Sequence, residues 1–286
     1  MKKKIMTKSK LKNILQDINK TYGKNTVYYA KDEPVKTRLP FGIKEIDDFI
    51  GGGISGGNFT IIYGGEGIGK STLAYTQIAM LQTKGLVCVL LDLEHSFDPK
   101  YAKIMGINID KLILICPENA EQAMDITIKL SKAKVVDYIV LDSIQALSCI
   151  GENETKKHVE KPMDKDEVAL LARRMGKFLR RTAGFVYKAQ IGFLFIGQTR
   201  TQGIGTFFTH EGLSGGHSIR HWSSMTLHMR KGMKANAPKK GKEIIGFQSV
   251  IKVEKHKIMG CSKIGSELKI PFYYNGGFKQ KDKNGS

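Results

Sequence analysis

Eight consecutive residues, Gly64, Gly65, Glu66, Gly67, Ile68, Gly69, Lys70 and Ser71, stand at the spacing G-x-x-x-x-G-K-[ST]. Glycines at these positions let successive backbone N–H groups turn toward one anion. Lys70 adds a point charge that can sit between phosphates, and Ser71 offers a hydroxyl to Mg²⁺. Thr72 follows directly and is counted with them as a nucleotide contact. The chemistry expected is the grip of a nucleoside triphosphate such as ATP together with Mg²⁺.

Acids capable of completing such a site lie at the ends of two apolar runs. Asp142 closes DYIVLD, where a strand-end carboxylate can hold the hydration shell of the metal; an ordinary helix-capping Asp is the alternative for a strand-end acid. Asp92 and Glu94 close LVCVLLDLE two residues apart, so period-two counting points both side chains to the same side of the strand. A carboxylate there can polarise water attacking a γ-phosphate, although an isolated acid at a strand end is often a cap. In SVIKVEKHK the same counting puts Ile251, Val253, Lys255 and Lys257 on one face. Two lysines ending an apolar face require an anion to offset their burial.

Those residues need a scaffold, and the chain supplies a regular alternation of apolar strands and amphipathic helices. Strands are read at 58–63, 86–92, 111–116, 137–142 and 192–197, and helices near 69–83, 99–105, 119–132 and 167–190. Continuous β-rich runs separated by helices imply an α/β fold whose mostly parallel sheet is covered on both faces, with ligands at the carboxyl ends of the strands. From about residue 218, SSMTLHMRK, GFQSVIKVEKHK and SELKIPFYY suggest strands without long helices, an antiparallel extension of that sheet. Ahead of the core, Leu11, Ile14, Leu15 and Ile18 form the stripe of an amphipathic helix over 8–20, which must be buried on its own domain or on a neighbouring subunit. The organisation expected is an N-terminal helix and linker at 1–35, a core at 36–278 and a disordered basic tail at 279–286.

Composition bounds the function classes. The 286 residues carry a net charge of +19, which either attracts polyanions or simply solvates a Lys-rich surface. No apolar run approaches the roughly 20 residues of a spanning helix, and no signal-peptide core follows the basic start, so a soluble cytoplasmic protein without membrane contact is expected. Cys88, Cys116, Cys149 and Cys261 are widely separated and read as buried reduced thiols. His217 and His221 have helical ligand spacing but no third ligand of metal type nearby, so no structural metal is expected. Residues 203–216 hold five glycines around Phe207 and Phe208, with Arg200, His210 and Arg220 nearby. Such a mobile aromatic and basic loop suits stacking on single-stranded nucleic acid, and equally a protein contact.

Taken together, LDLEHSFDPKYA, YIVLDSIQAL and LFIGQTRTQGIGTFF…LSGGHSIRHWSS resemble, in register, the corresponding segments of the RecA family of recombinases over roughly residues 8–278. The resemblance implies a RecA-like core with an oligomerising N-terminal helix. It also implies Glu94 as the base that activates water, Asp98, Tyr101 and Tyr274 as nucleoside contacts, and Gln198 as the γ-phosphate sensor. Residues 199–214 become a DNA loop, with Arg200, Gln202, Gly203, Ile204, Gly205, Phe207, Phe208, Gly215, Gly216 and Arg220 as DNA contacts. A further DNA loop falls at about 149–167. The lysines 255 and 257 are expected to reach ATP bound by the adjacent subunit, which would supply their anion. The implied activity is DNA-dependent ATP hydrolysis in a helical filament on single-stranded DNA, with pairing and strand exchange on homologous duplex DNA. An accessory paralogue without strand exchange and a hexameric helicase of the same core are the alternatives.

Three departures from the family pattern stand out. The chain ends soon after its last core strand, so the family's C-terminal domain is expected to be absent. The phosphate loop reads GGEGIGKS where Pro, Ser and Thr are usual, and His221 replaces an aromatic residue.

Overall fold

The computed structural model describes residues 8–23, 26–33, 35–147, 165–202, 210–213, 217–257 and 263–278. It divides into two compact units, Met1–Lys36 and Thr37–Ser286. In the first, helix α1 (Lys8–Tyr22) carries the expected stripe, and Ile14 on it is 42% exposed. The helix is closed by Asn19, whose Nδ2 donates to the Val27 carbonyl at 2.8 Å while its Oδ1 accepts from the N–H groups of Thr26 and Val27. The tail at 279–286 and most of the two expected DNA loops, at 148–164, 203–209 and 214–216, lie outside the described residues.

The second unit is built on a nine-stranded sheet. Its strands are β3 (Asn58–Gly64), β4 (Cys88–Asp92), β5 (Ile113–Ile115), β6 (Tyr138–Asp142), β7 (Gly192–Gln202), β8 (His210–Leu213), β9 (Ser223–Lys231), β12 (Gly246–His256) and β13 (Glu267–Tyr273). The order is β13-β12-β9-β3-β7-β6-β4-β5, with β8 paired antiparallel to β7. A small hairpin of β1 (Arg38–Leu39) and β2 (Ile54–Ser55), and another of β10 (Lys239–Lys240) and β11 (Glu243–Ile244), stand outside it.

The central strands are continuous apolar runs because both faces of the sheet are buried. Ile62, Val140, Leu194 and Ile196 point into one core, against α2 (Lys44–Ile50) and α3 (Lys70–Thr83), through Ile46, Phe49, Leu73 and Ile78. Ile61, Tyr63, Ile139, Leu141, Phe193 and Phe195 point into the other. That core is closed by α5 (Ala120–Ala133) and α6 (Lys165–Ala189), through Met124, Met175, Phe178 and Leu179. The doubly covered, mostly parallel α/β sheet is the one expected from the sequence. Among the described residues no helix is long and apolar enough to cross a membrane.

Five expectations are corrected. Strand β9 runs parallel to β3, and only β12 and β13 form an antiparallel extension. The return from β8 to β9 passes through α7 (His217–Trp222), a helix too short to leave a periodic stripe. The segment 199–214 is not loop throughout: Thr199 to Gln202 pair with Leu213 to His210 as the stem of a hairpin. The loop expected to run to about 167 is shorter by three residues, because α6 already begins at Lys165. Finally, Cys88 is buried but Cys116 is exposed, because it follows β5, the last strand at one edge of the sheet, where Ile113 and Leu114 are also about two-fifths exposed.

Candidate nucleotide site

Parallel pairing brings the carboxyl ends of four strands to one edge. Gly64 on β3 lies opposite Gln198 on β7, and Asp92 on β4 lies opposite Asp142 on β6. The phosphate loop leaves β3 at that edge and enters α3 at Lys70, as its mechanism requires. Gly67 and Gly69 take left-handed φ values of 60° and 88°. A Cβ on Gly69 would also lie 2.6 Å from the Phe272 ring, so position 69 is closed to side chains on two counts. At Gly65 and Gly67 a Cβ would meet nothing within 4 Å, leaving open space above the loop.

Lys70 lies within this turn, and its Nζ donates to the carbonyls of Gly64 at 3.1 Å and Gly65 at 2.5 Å. Burial pulls its pKa below the ordinary lysine value, while Asp142, Glu94 and Glu66 oppose that shift by their charges. Ser71 donates its Oγ hydrogen to Asp142 Oδ2 at 2.7 Å. Glu94 lies beyond the end of β4 and is exposed, and its Oε1 accepts from Ser143 Oγ. Asp92 turns away from that role: it is buried and accepts from the N–H groups of Ser96 and Phe97. β4 ends at Asp92, so period-two counting does not carry on to Glu94, although both carboxylates act by their charge on Asp142.

The remaining assigned residues separate into two groups. Thr72 Oγ1 and the Tyr101 hydroxyl are hydrogen-bonded at 2.8 Å, which brings Tyr101 to the first turn of α3. Asp98 is exposed and caps α4 (Pro99–Ile104), accepting from Lys100 N–H at 2.8 Å. Gln198 is half-buried beside the loop, its backbone N–H donating to Gln145 Oε1 at 3.0 Å. Ile68 is buried with its Cδ1 against Gly64. Tyr274 is exposed, with its ring 6.3 Å from that of Phe247, and Phe272 is the aromatic residue that abuts Gly69.

Arg220 is engaged within the chain, donating to the Tyr63 hydroxyl at 3.2 Å and to Glu254 at 3.0 Å. Lys255 and Lys257 are not a buried pair. A bulge in β12 between Val253 and Lys255 breaks period-two counting, so that His256 turns inward, 8% exposed, and Lys257 is exposed. Both lysines donate to backbone carbonyls at the end of α7, of Arg220 and His221, which offsets part of the need for an anion.

Sequence reasoning passed over Ser143, Gln145 and Phe272. The first two stand in YIVLDSIQAL, just past the strand-end acid, a place where polar side chains can reach a site on the neighbouring strand. Phe272 carried no such signal.

Along residues 9–279 the chain matches the RecA N-terminal domain family. This chain belongs to the RecA family. It is 36% identical over 253 residues to the Protein RecA of Psychrobacter arcticus, an alignment covering 87% of this chain and 69% of that protein. The Protein RecA of Acinetobacter baumannii is 35% identical over 252 residues, with the same coverages of 87% and 69%. That of Bifidobacterium breve is 35% identical over 255 residues, covering 88% of this chain and 62% of that protein. Membership places the chain among the RecA-type recombinases of DNA recombination and repair.

The donor set of this RecA-family site fits Mg²⁺ bound together with phosphates. Among the described residues no cluster of three or more His, Cys, Asp or Glu is arranged to hold a metal ion. A cation at Ser71 and Asp142 would therefore complete its shell with phosphate oxygens and water. Burial pushes the Asp142 carboxyl up to about 6, reinforced by Glu94 and Asp92 and opposed by the Ser71 hydrogen bond and Lys70. Because the folded value lies above the ordinary 3.8, the protonated acid favours the nucleotide-free fold, and that contribution is lost as pH rises through about 6. Cation binding runs the other way, since it needs the carboxylate. Mg²⁺ affinity, measured by titration in the presence of nucleotide, is expected to strengthen as pH rises through about 6. In Asp142→Asn that step is expected to vanish, and its persistence would remove Asp142 from the metal shell.

Proposed function

We propose that this chain is an ATP-dependent recombinase that assembles as a filament on single-stranded DNA, hydrolyses ATP in a DNA-dependent way and catalyses pairing and strand exchange with homologous duplex DNA. The observation that carries the reading is the convergence of Lys70, Ser71, Asp142 and Glu94 at the carboxyl edge of the sheet, beside Gln198. Lys70 and the loop N–H groups bind the phosphates. Ser71 and Asp142 hold Mg²⁺, which when bound neutralises charge on the phosphate oxygens. Glu94, oriented by Ser143, accepts a proton from the attacking water, and Gln198 reports the γ-phosphate along β7 toward the hairpin that carries the DNA loop. Asp98 and Tyr101 contact the nucleoside.

Two surfaces support self-association. The apolar stripe of α1 leaves Ile14 exposed, and the β5 edge leaves Ile113, Leu114 and the backbone groups of an end strand open. A second copy would cover them. The charge of +19 supports binding along a polyanion. In this reading the protein works in the cytoplasm. The test is a joint-molecule assay with purified protein, ATP, single-stranded DNA and homologous duplex, paired with electron microscopy of the protein–DNA complex. Joint molecules and helical filaments are expected. Filaments without joint molecules would reduce the role to an accessory one, and closed rings would replace the recombinase by a ring motor.

A further inference from the structure

Helix α7 is caught between the last residue before the phosphate loop and the tail of β12, and one arginine makes both connections. Tyr63 is fully buried, stacks on His228 with 4.7 Å between ring centroids, and directly precedes Gly64, whose carbonyl holds Lys70. The Arg220 guanidinium donates to the Tyr63 hydroxyl, lies 5.9 Å from the centre of its ring, and donates to Glu254. The backbone carbonyl of the same residue accepts from Lys255 Nζ.

Past the β12 bulge, three of four consecutive side chains meet this helix end and the fourth turns inward. Glu254 meets the Arg220 side chain, and Lys255 meets the carbonyls of Arg220 and His221. His256 donates inward to the Ile50 carbonyl at 3.1 Å, and Lys257 reaches the His221 carbonyl. The Lys257 N–H also donates to the Ser224 carbonyl at 2.8 Å. A displacement of β3 at Tyr63 therefore reaches the lysines through two hydrogen-bonded steps. Chains of hydrogen-bonded side chains and rigid elements are the physical means by which one site is coupled to another.

We propose that Arg220 and Glu254 are positioning residues, a strut that ties the phosphate loop of one subunit to the aim of Lys255 and Lys257. This rests on the reading of the chain as an ATPase whose lysine pair reaches the nucleotide of the next subunit. It adds that an occupied loop sets the reach of the lysines through Tyr63, Arg220 and Glu254, so that hydrolysis becomes cooperative along the assembly. Arg220 then serves the subunit interior rather than DNA.

The experiment compares full-length wild type with Arg220→Gln, Glu254→Gln and the charge-reversed pair Arg220→Glu/Glu254→Arg. For ATP turnover on single-stranded DNA, each single substitution is expected to lower kcat about tenfold while KM for ATP stays within about twofold. The rise of turnover with protein concentration is expected to flatten in both. The reversed pair is expected to recover to within about threefold of wild type. The Tyr63 hydroxyl, able to donate as well as accept, remains paired in the reversed arrangement. A loss of packing alone would give no such recovery.

Wild-type turnover in both single variants would overturn the strut. So would loss of nucleotide-free DNA binding in Arg220→Gln that the reversed pair fails to restore, since Arg220 would then be a DNA cation. Should the arginine variants melt early, Tyr63→Phe removes only the hydroxyl and is expected to lower kcat about threefold; no change would likewise overturn the strut. A wild type without DNA-dependent turnover would defeat the ATPase reading itself, an outcome separate from these.

Discussion

Glu94→Gln is expected to lower ATP turnover about 10²–10⁴-fold, the usual contribution of a positioned general base, while ATP and single-stranded DNA still bind. The amide keeps an oxygen to accept from Ser143 Oγ, so the side chain stays in place and only its ability to take a proton is lost. Glu94 is exposed, and a substitution there is expected to change stability by no more than about 0.5 kcal/mol. Steady-state phosphate release with a parallel nucleotide-binding titration checks both halves. Hydrolysis at the wild-type rate would assign the proton to another group.

Lys70→Ala removes binding and turnover together. Lys70 is 9% exposed, and its ammonium lies within the turn of the loop, against the Gly64 and Gly65 carbonyls. Each charge-assisted hydrogen bond to phosphate contributes about 1.5–3 kcal/mol, so losing two weakens ATP binding by at least about 100-fold. The substitution also leaves the Gly64 and Gly65 carbonyls without the Nζ donor and takes a positive charge from among Asp142, Glu94 and Glu66. Lys70→Arg is expected to rescue poorly, because a planar fork does not fit the place of a compact ammonium. Calorimetric titration of ATP against each variant, with melting curves to confirm folding, measures the effect. Retained affinity in a folded Lys70→Ala protein would move the phosphates elsewhere.

Much of the site was legible because its parts are local. The glycines, lysine and serine of the phosphate loop act within eight residues, and a strand followed by a helix suffices to orient them. Asp142 was legible as the end of an apolar run, and the run itself marks a strand buried on both faces. What failed depended on partners far along the chain. Period-two counting placed Lys255 and Lys257 on the apolar face, and pairing with β9 inserted a bulge that put His256 there instead. The apolar LILIC run looked like any core strand, yet among the described residues no strand pairs beyond it, and Cys116 is exposed. Such an apolar edge is one of the surfaces that the proposed assembly would cover.

The aromatic and charged contacts divide the same way. Tyr101, implied by the resemblance, lies on the short helix α4 and meets Thr72. Tyr274 and Arg220 depended on how β13 and α7 lie against β3. In this fold Phe272 took the place beside Gly69, and Arg220 turned inward to Tyr63 and Glu254.

By itself, the sequence determined the strand and helix succession, the phosphate loop and the strand-end acid of a RecA-family core, since each follows from periodicity or from backbone freedom over a few residues. Only the tertiary structure decided that Ser71 meets Asp142 across 71 positions, that Ser143 orients Glu94, and that Lys255 rests on the end of α7. The physical reason is that hydrogen bonds reach about 3 Å. Which groups come within that reach is set by sheet order and register, through pairings that no local pattern encodes.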